Sequence, residues 1–219
     1  MKTYAEKHWG DCSNAVAYKL NFVQLCYGYD SDASADFYAS KCPHVDDLSI
    51  QIRNFETPKS GFSKKDYFQL FSYHMGVSEK MKKDMIAFGV EEENFRPIYT
   101  RKHDIVLGWQ ISPIHILPPI YSLNGGKEIV RCPICDLREI EYSDEVAHWQ
   151  AYNRLGFPVY ISTDVLQQMK PLNGAYEDSR RVIISLDLYN YLLKRYPRIE
   201  CRPVFLGDVT QDKQYRRPF

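Results

Sequence analysis

Cys132-Pro133-Ile134-Cys135 is the most chemically specific stretch of this sequence. Two thiolates separated by two residues, on a turn stiffened by proline, can grip one tetrahedral zinc ion as a knuckle. A structural zinc takes four ligands, and no second Cys-x-x-Cys occurs in the chain. The remaining ligands would come from His8 with Cys12, Cys42 with His44, His115, His148 or Cys201. That choice is tertiary, and spacing does not make it. Two other readings stand beside zinc. The cysteines can be unliganded, or they can form a redox pair. A redox pair opens a helix after a strand, whereas the charged, strand-like Arg138-Glu139-Ile140-Glu141 follows here. Cys132 and Cys135 are therefore the candidate metal ligands, with zinc as the candidate cofactor.

The other titratable groups fall into no catalytic signature. His8, His44, His74, His103, His115 and His148 lie outside any His-Glu-x-x-His pattern and beside no nucleophile motif. His115 sits in an apolar stretch, where a hydrogen-bonded core histidine is the simpler reading. Asp46-Asp47 and Glu91-Glu92-Glu93 read as solvated loop charges before they read as acid–base pairs. No phosphate-binding glycine motif is present, and Gly125-Gly126 reads as a turn. No residue is assigned a catalytic role.

Charge narrows the partners. Lys plus Arg and Asp plus Glu balance at 28 each, so no long-range field draws the chain to nucleic acid or an anionic membrane. Lys213, Tyr215, Arg216, Arg217 and Phe219 interleave charge and aromatic rings in miniature, but a polar tail is the simpler account. No apolar run is long enough to span a bilayer. MKTYAEKHWGDC has no apolar signal core, so the expected location is the cytoplasm, where cysteines stay reduced. The chain carries 17 tyrosines in 219 residues, a surplus that suits both sheets and recognition surfaces.

The elements that must position these groups come from periodicity. Ala15 to Tyr29 and Asp47 to Glu56 alternate as strands. Ser63 to Phe71 reads as a short helix capped by Ser63, and Glu145 to Gly156 as another. Val106 to Ile116 is rich in β-formers, Asn124-Gly125-Gly126 signals a turn, and Arg138 starts a strand. Two segments echo each other. After Ser78, Met81 and Met85 fall three and seven residues on; after Ser185, Leu188 and Leu192 do the same. Each serine is a natural N-cap, Gly89 and Pro197 are stops, and each helix hands over to Arg-Pro-apolar-aromatic. The strand after the first helix is expected to begin at or after Pro97. Ser162, with Val165 and Met169, opens a shorter third copy within Val159 to Met169. The expectation is one α+β domain over residues 1–219, a mixed and mostly antiparallel sheet with helices packed on it, built as related halves 1–105 and 106–219.

Residues 66–99 resemble a family of small bacterial immunity proteins of polymorphic toxin systems. The pattern is Asp66-Tyr67-Phe68, then Val77-Ser78-Glu79-Lys80, an amphipathic helix, and Arg96-Pro97-Ile98-Tyr99. The Cys-x-x-Cys block is similar to that of a related group carrying two such knuckles, where this chain has one. The resemblance implies an α+β binder that neutralises a cognate protein toxin without catalysis, and the mechanism expected of such a binder is steric occlusion of the toxin's active site. The alternative is a zinc-containing enzyme or nucleic-acid-processing protein that uses the Cys132/Cys135 site.

Overall fold

Ser78 and Ser185 each start a helix in the same way. Both hold extended backbone, and each hydroxyl accepts a hydrogen bond 3.2 Å from the amide three residues on, Met81 in one case and Leu188 in the other. The computed structural model describes residues 2–22, 38–42, 45–51, 53–59, 62, 65–70, 74–102, 104–117, 127–131, 138–141, 159–161, 163–175 and 178–206. Along them run α1 (Tyr4–Trp9), β1 (Ala15–Leu20), β2 (Tyr38–Cys42), β3 (Val45–Gln51), β4 (Glu56–Thr57), β5 (Tyr67–Gln69) and β6 (Met75–Val77). Next come α2 (Glu79–Phe88), β7 (Phe95–Thr100), β8 (Val106–Ile111), β9 (Ile116–Leu117), β10 (Lys127–Arg131) and β11 (Arg138–Glu141). The last are β12 (Val159–Ile161), α3 (Thr163–Gln167), β13 (Leu172–Ala175), β14 (Asp178–Ser185), α4 (Leu186–Arg195) and β15 (Cys201–Leu206).

The architecture is α+β, with helices packed on two mixed, mostly antiparallel sheets. One sheet has the order β4-β7-β8-β6-β5 and the other β12-β15-β1-β14-β13-β9. Two further antiparallel pairs, β2-β3 and β10-β11, stand as separate hairpins. In the first sheet β6 and β7 flank β8, antiparallel to both, and α2 connects them. In the second, β14 and β15 flank β1, again antiparallel to both, and α4 connects them. The outer strands correspond too. β4 runs parallel to β7 and β12 parallel to β15; β5 runs antiparallel to β6 and β13 to β14.

The correspondence extends to single residues. Pro97 lies opposite Trp109, and Pro203 opposite Tyr18. This sets Gly108-Trp109-Gln110-Ile111 against Ala17-Tyr18-Lys19-Leu20. Both central strands are bulged at the same place, the register slipping across Leu107 in β8 and across Val16 in β1. The Ser78 amide donates to the Asp66 carbonyl and the Ser185 amide to the Pro171 carbonyl, each at 2.9 Å. The echo in sequence is thus a duplicated unit whose middle strand follows the others in one copy and precedes them in the other. The short third copy is β12 and α3, the opening of the second unit; Ser162 itself lies outside the described residues. Neither sheet is built from one half of the chain alone, since β1 joins the second sheet and β8 the first.

One sequence expectation fails and others shift at their edges, the strand expected over Asp47 to Glu56 being β3, which ends at Gln51, with Glu56 opening β4. Ser63 to Phe71 is not a helix where described; Tyr67–Gln69 is the strand β5. Pairing with β6 wins over local pattern, because it seats the Phe68 ring on Gly76, where a Cβ would lie 2.1 Å from the ring. β7 begins at Phe95 and holds Pro97 inside it. The Tyr99 amide points to Phe55 beside β4, so the equivalent side of Pro97 lies before β4 begins, and its missing N–H costs no ladder bond. The strand expected over Ala15 to Tyr29 is β1, ending at Leu20.

The main core lies between the sheets and around the paired helices α2 and α4, which pack on each other. Met81 and Met85 meet Leu188 and Leu192 there, all fully buried. Burying each such side chain is worth about 1.5–3 kcal/mol, against about 1 kcal/mol for a cap. The core therefore holds the helices, and the serines decide where they start. A second cluster, with Ala17, Ile161, Val165 and Ile183, seals the far face of the second sheet under α3. A third, Phe55, Phe68, Leu70 and Ile98, covers the far face of the first.

Ser78→Ala and Ser185→Ala should each lower unfolding free energy by about 1 kcal/mol in urea denaturation. Two variants as stable as the parent would contradict these caps.

Candidate functional site

A cleft of about 180 Å³ opens where the exit of α2 meets the approach to β13. Gly89, at φ +115°, ends α2 in the left-handed region, its amide closing on the Ile86 and Met85 carbonyls, and turns the chain into the first wall through Val90 and Glu91. Ile114 and His115, between β8 and β9, form the second wall, and Lys170, Pro171 and Leu172 the third.

Two buried amides hold these walls in place. Asn94 donates to the Glu91 carbonyl at 3.0 Å and accepts from the Ile114 amide at 3.1 Å, while its own carbonyl takes the Ser112 amide at 2.7 Å. Asn173 donates to the Lys170 and Ile183 carbonyls at 2.7 and 3.2 Å and accepts from the Lys170 amide at 2.9 Å. Buried amides so satisfied fix the backbone without a desolvation penalty. The cleft is preformed.

His115 lies half-buried at the rim rather than in the core, because its segment leaves the sheet between β8 and β9. Its Nε2 is 3.0 Å from the Gln168 carbonyl, which can only accept. That nitrogen is therefore the donor in the contact. The core histidine is His74, whose Nδ1 accepts from the Gln110 amide at 3.0 Å. Gln110 in turn pairs reciprocally with Gln51, at 2.6 and 2.8 Å. Arg96 donates to the Gln51 carbonyl and the Asn54 side chain, so this cluster ties the end of β3 to the first sheet.

The cleft brings together one imidazole, one ammonium and one carboxylate (His115, Lys170, Glu91) around an apolar floor, with no hydroxyl or thiol among its described lining residues. That set suits holding a group more than attacking one.

Cys132 and Cys135 lie outside the described residues, in the segment 132–137 that joins β10 to β11 after the pair Arg131–Arg138. Cys42 ends β2 opposite Val45, and His44 lies outside the described residues, as do His103, His148 and the basic-aromatic residues 213–219. Among the described residues no three or more His, Cys, Asp or Glu side chains cluster as metal ligands. Cys201 is fully buried, and burial pushes its thiol well up, so it packs as a small apolar side chain. Cys12 is half-buried, its thiol raised first by burial and then by Glu6 and Asp11. Of the acidic run, Glu92 binds Lys82 at 2.8 Å, and that hydrogen bond holds its carboxyl below the usual range. Asn94, Lys170 and Asn173 escaped the sequence reading. Asn94 sits at the place Glu200 occupies in the second unit, and only the register reveals it.

No family model matches the chain, and no curated protein matches its sequence. The fold class stands on the topology. Among the described residues no helix is long and apolar enough to cross a membrane.

Several tyrosines of the core are held against ionisation. Tyr18 stacks on Tyr189 with ring centroids 3.5 Å apart, and burial pushes Tyr189 up to about 12 and Tyr18 also upward. Tyr67 is likewise raised to about 12, chiefly by burial and then by Glu200. The unfolded phenols ionise near 10. Between about pH 10 and 12 the unfolded chain therefore loses protons that the folded chain keeps, and stability falls as pH rises. Absorbance titration at about 295 nm should show these phenols ionising late, with the urea midpoint dropping across the same window. A midpoint flat across that window would contradict the buried phenols.

Proposed function

We propose that this protein is a cytoplasmic immunity protein that binds a cognate bacterial toxin and occludes its active site, with no catalysis of its own. The observation that carries this reading is the preformed cleft, sized for one side chain, with exposed apolar residues beside it. Ile114 is 53% exposed at the rim and Ile116 is 40% exposed next to it. A pocket with an apolar surround is one way a protein surface anchors a partner. The resemblance of residues 66–99 to immunity proteins supports the same reading, and those residues fold as β5, β6, α2 and β7, most of one unit. Membranes and nucleic acids are not the partners in this proposal.

The test is co-expression with the toxin encoded beside its gene. The expected results are rescue of growth and a stoichiometric complex on gel filtration. Unrescued cells, or no toxin gene in the neighbourhood, would overturn the proposal.

A second reading has one observation in its favour. Cys42 is paired with Val45 across the end of one hairpin, and Arg131 with Arg138 across the end of the other. In chain order, Pro43-His44 links the strands of one pair and Cys132-Pro133-Ile134-Cys135 falls within the link of the other, and a zinc knuckle draws its ligands from such links. Zinc held by Cys132 and Cys135 would then serve an enzyme or a nucleic-acid-processing protein. Metal analysis of purified protein decides this: stoichiometric zinc lost in Cys132→Ser supports it, and metal-free protein removes it.

A further inference from the structure

The duplicated unit makes the cleft one of two equivalent junctions, and the other junction is filled. Register places Tyr67 of β5, opposite Val77, where Leu172 of β13 stands opposite Ile184. The residue after the central strand's exit also corresponds. The Asn21 amide donates to the Glu200 carbonyl as the Ser112 amide does to the Asn94 carbonyl, which sets Phe22 against Pro113. In the first unit the Tyr67 ring lies 4.8 Å from the Phe22 ring, and its hydroxyl donates to the Arg198 carbonyl at 2.5 Å. A phenol thus bridges the exit of one unit's helix and the approach strand of the other. At the second junction Leu172 and Pro113 are too short to do this, and the space between Glu91, Ile114 and His115 is the cleft.

We propose that the cleft receives one tyrosine side chain from a protein partner, seated as Tyr67 seats itself at the filled junction. The volume, about 180 Å³, is below the roughly 300–1,000 Å³ of pockets for drug-sized molecules. It suits one ring. The walls supply both halves of what a phenol needs: apolar contact from Val90, Ile114 and Leu172, and polar groups for the hydroxyl among Glu91, Asn94 and His115. Tyrosine is among the side chains enriched at the buried anchor points of interfaces. This inference rests on the reading that the protein works by binding another protein, and it names the point of anchorage.

The test uses the ¹⁵N-labelled full chain and N-acetyl-tyrosinamide as probe, with N-acetyl-leucinamide as control. Tyrosinamide should shift the amides of Val90, Glu91, Ile114 and His115, and leucinamide should bind at least about tenfold more weakly, a difference of about 1.4 kcal/mol. Leu172→Tyr rebuilds the plug and should abolish those shifts. Tyr67→Leu should open the first junction and add a second set of shifts around Asn21 and Arg198. Because Leu172 and Tyr67 touch the core, Ile114→Asp, at an exposed rim position, serves as the variant that leaves packing alone, and it should weaken the probe by a similar factor. Scattered shifts, equal binding of both probes, or binding indifferent to Leu172→Tyr and Ile114→Asp would overturn the assignment. Those outcomes leave toxin neutralisation standing, whereas failed co-expression with normal probe binding would leave the cleft and remove the toxin.

Discussion

Each sheet depends on its central strand. A strand, a helix and a second parallel strand leave a gap one strand wide, and two unsatisfied rows of backbone groups face each other across it. β8 fills that gap in one unit and β1 in the other, each antiparallel to both neighbours. The second case is the more demanding. β1 comes early in the chain and pairs with β14 and β15, the last two described strands, so the second unit cannot close before the chain between them is in place. Such pairing carries a large loop-closure cost, repaid by the core beneath it. The residues at the centre of the two strands reflect this. Trp109 and Tyr18 occupy one register position, and each presents its ring to the helix above. Lys82 sits 3.3 Å over the Trp109 ring and Tyr189 stacks on Tyr18. One is a cation over a π face and the other an aromatic stack, yet both fill the same slot between helix and central strand.

The helix seam joins the units. Tyr196 donates to Asp84 at 2.6 Å, and Arg195 reaches the same carboxylate at 3.6 Å. Phe88 packs on Tyr191 with centroids 5.0 Å apart. Counting from the capping serines, Asp84 corresponds to Tyr191 and Phe88 to Arg195. The two contacts are therefore one contact seen from either side, the arrangement of an isologous dimer, here within a single chain. Desolvation and the Asp84 carboxylate together raise the Tyr196 phenol, which keeps it the donor in that bond.

Much of this was legible in the residues. Serine caps, the three-and-seven spacing and Arg-Pro-apolar-aromatic marked both helices and the strands after them, because those features are local and follow from helix and turn geometry. The duplication was visible in α2 and α4, but its central strands were hidden. Val-Leu-Gly-Trp-Gln-Ile and Ala-Val-Ala-Tyr-Lys-Leu share no more than a small residue, an aromatic, a polar and an aliphatic in order. Only register shows that they are equivalent. Ser63 to Phe71 misled because three residues of strand carry too little periodicity to outweigh a cap-like serine. The cleft was invisible for a related reason. Its walls come from three separated segments, and its decisive groups, Asn94 and Asn173, act through buried bonds to main-chain atoms that no spacing rule reports. The cysteine pair was the reverse: conspicuous in sequence, and silent about which other groups would complete a metal site.

Where the copies differ is as informative as where they agree. An exact duplicate would place like residues across the seam, so that either unit could pair with its own twin. Here the repeated contact is ionic on one side, Asp84 with Arg195, and aromatic on the other, Phe88 with Tyr191. Pairing a unit with its own copy would set Asp84 against Phe88 or Tyr191 against Arg195. The first buries a carboxylate without a counterion, at a cost that can exceed the gain of the contact. The asymmetry thus fixes the two units to each other and discourages exchange between chains. The same divergence reaches the junctions at either end of the seam. Tyr67 closes one, and Leu172 leaves the other open. At the open junction, Asn94 and Asn173 hold the walls where Tyr67 bridges the other.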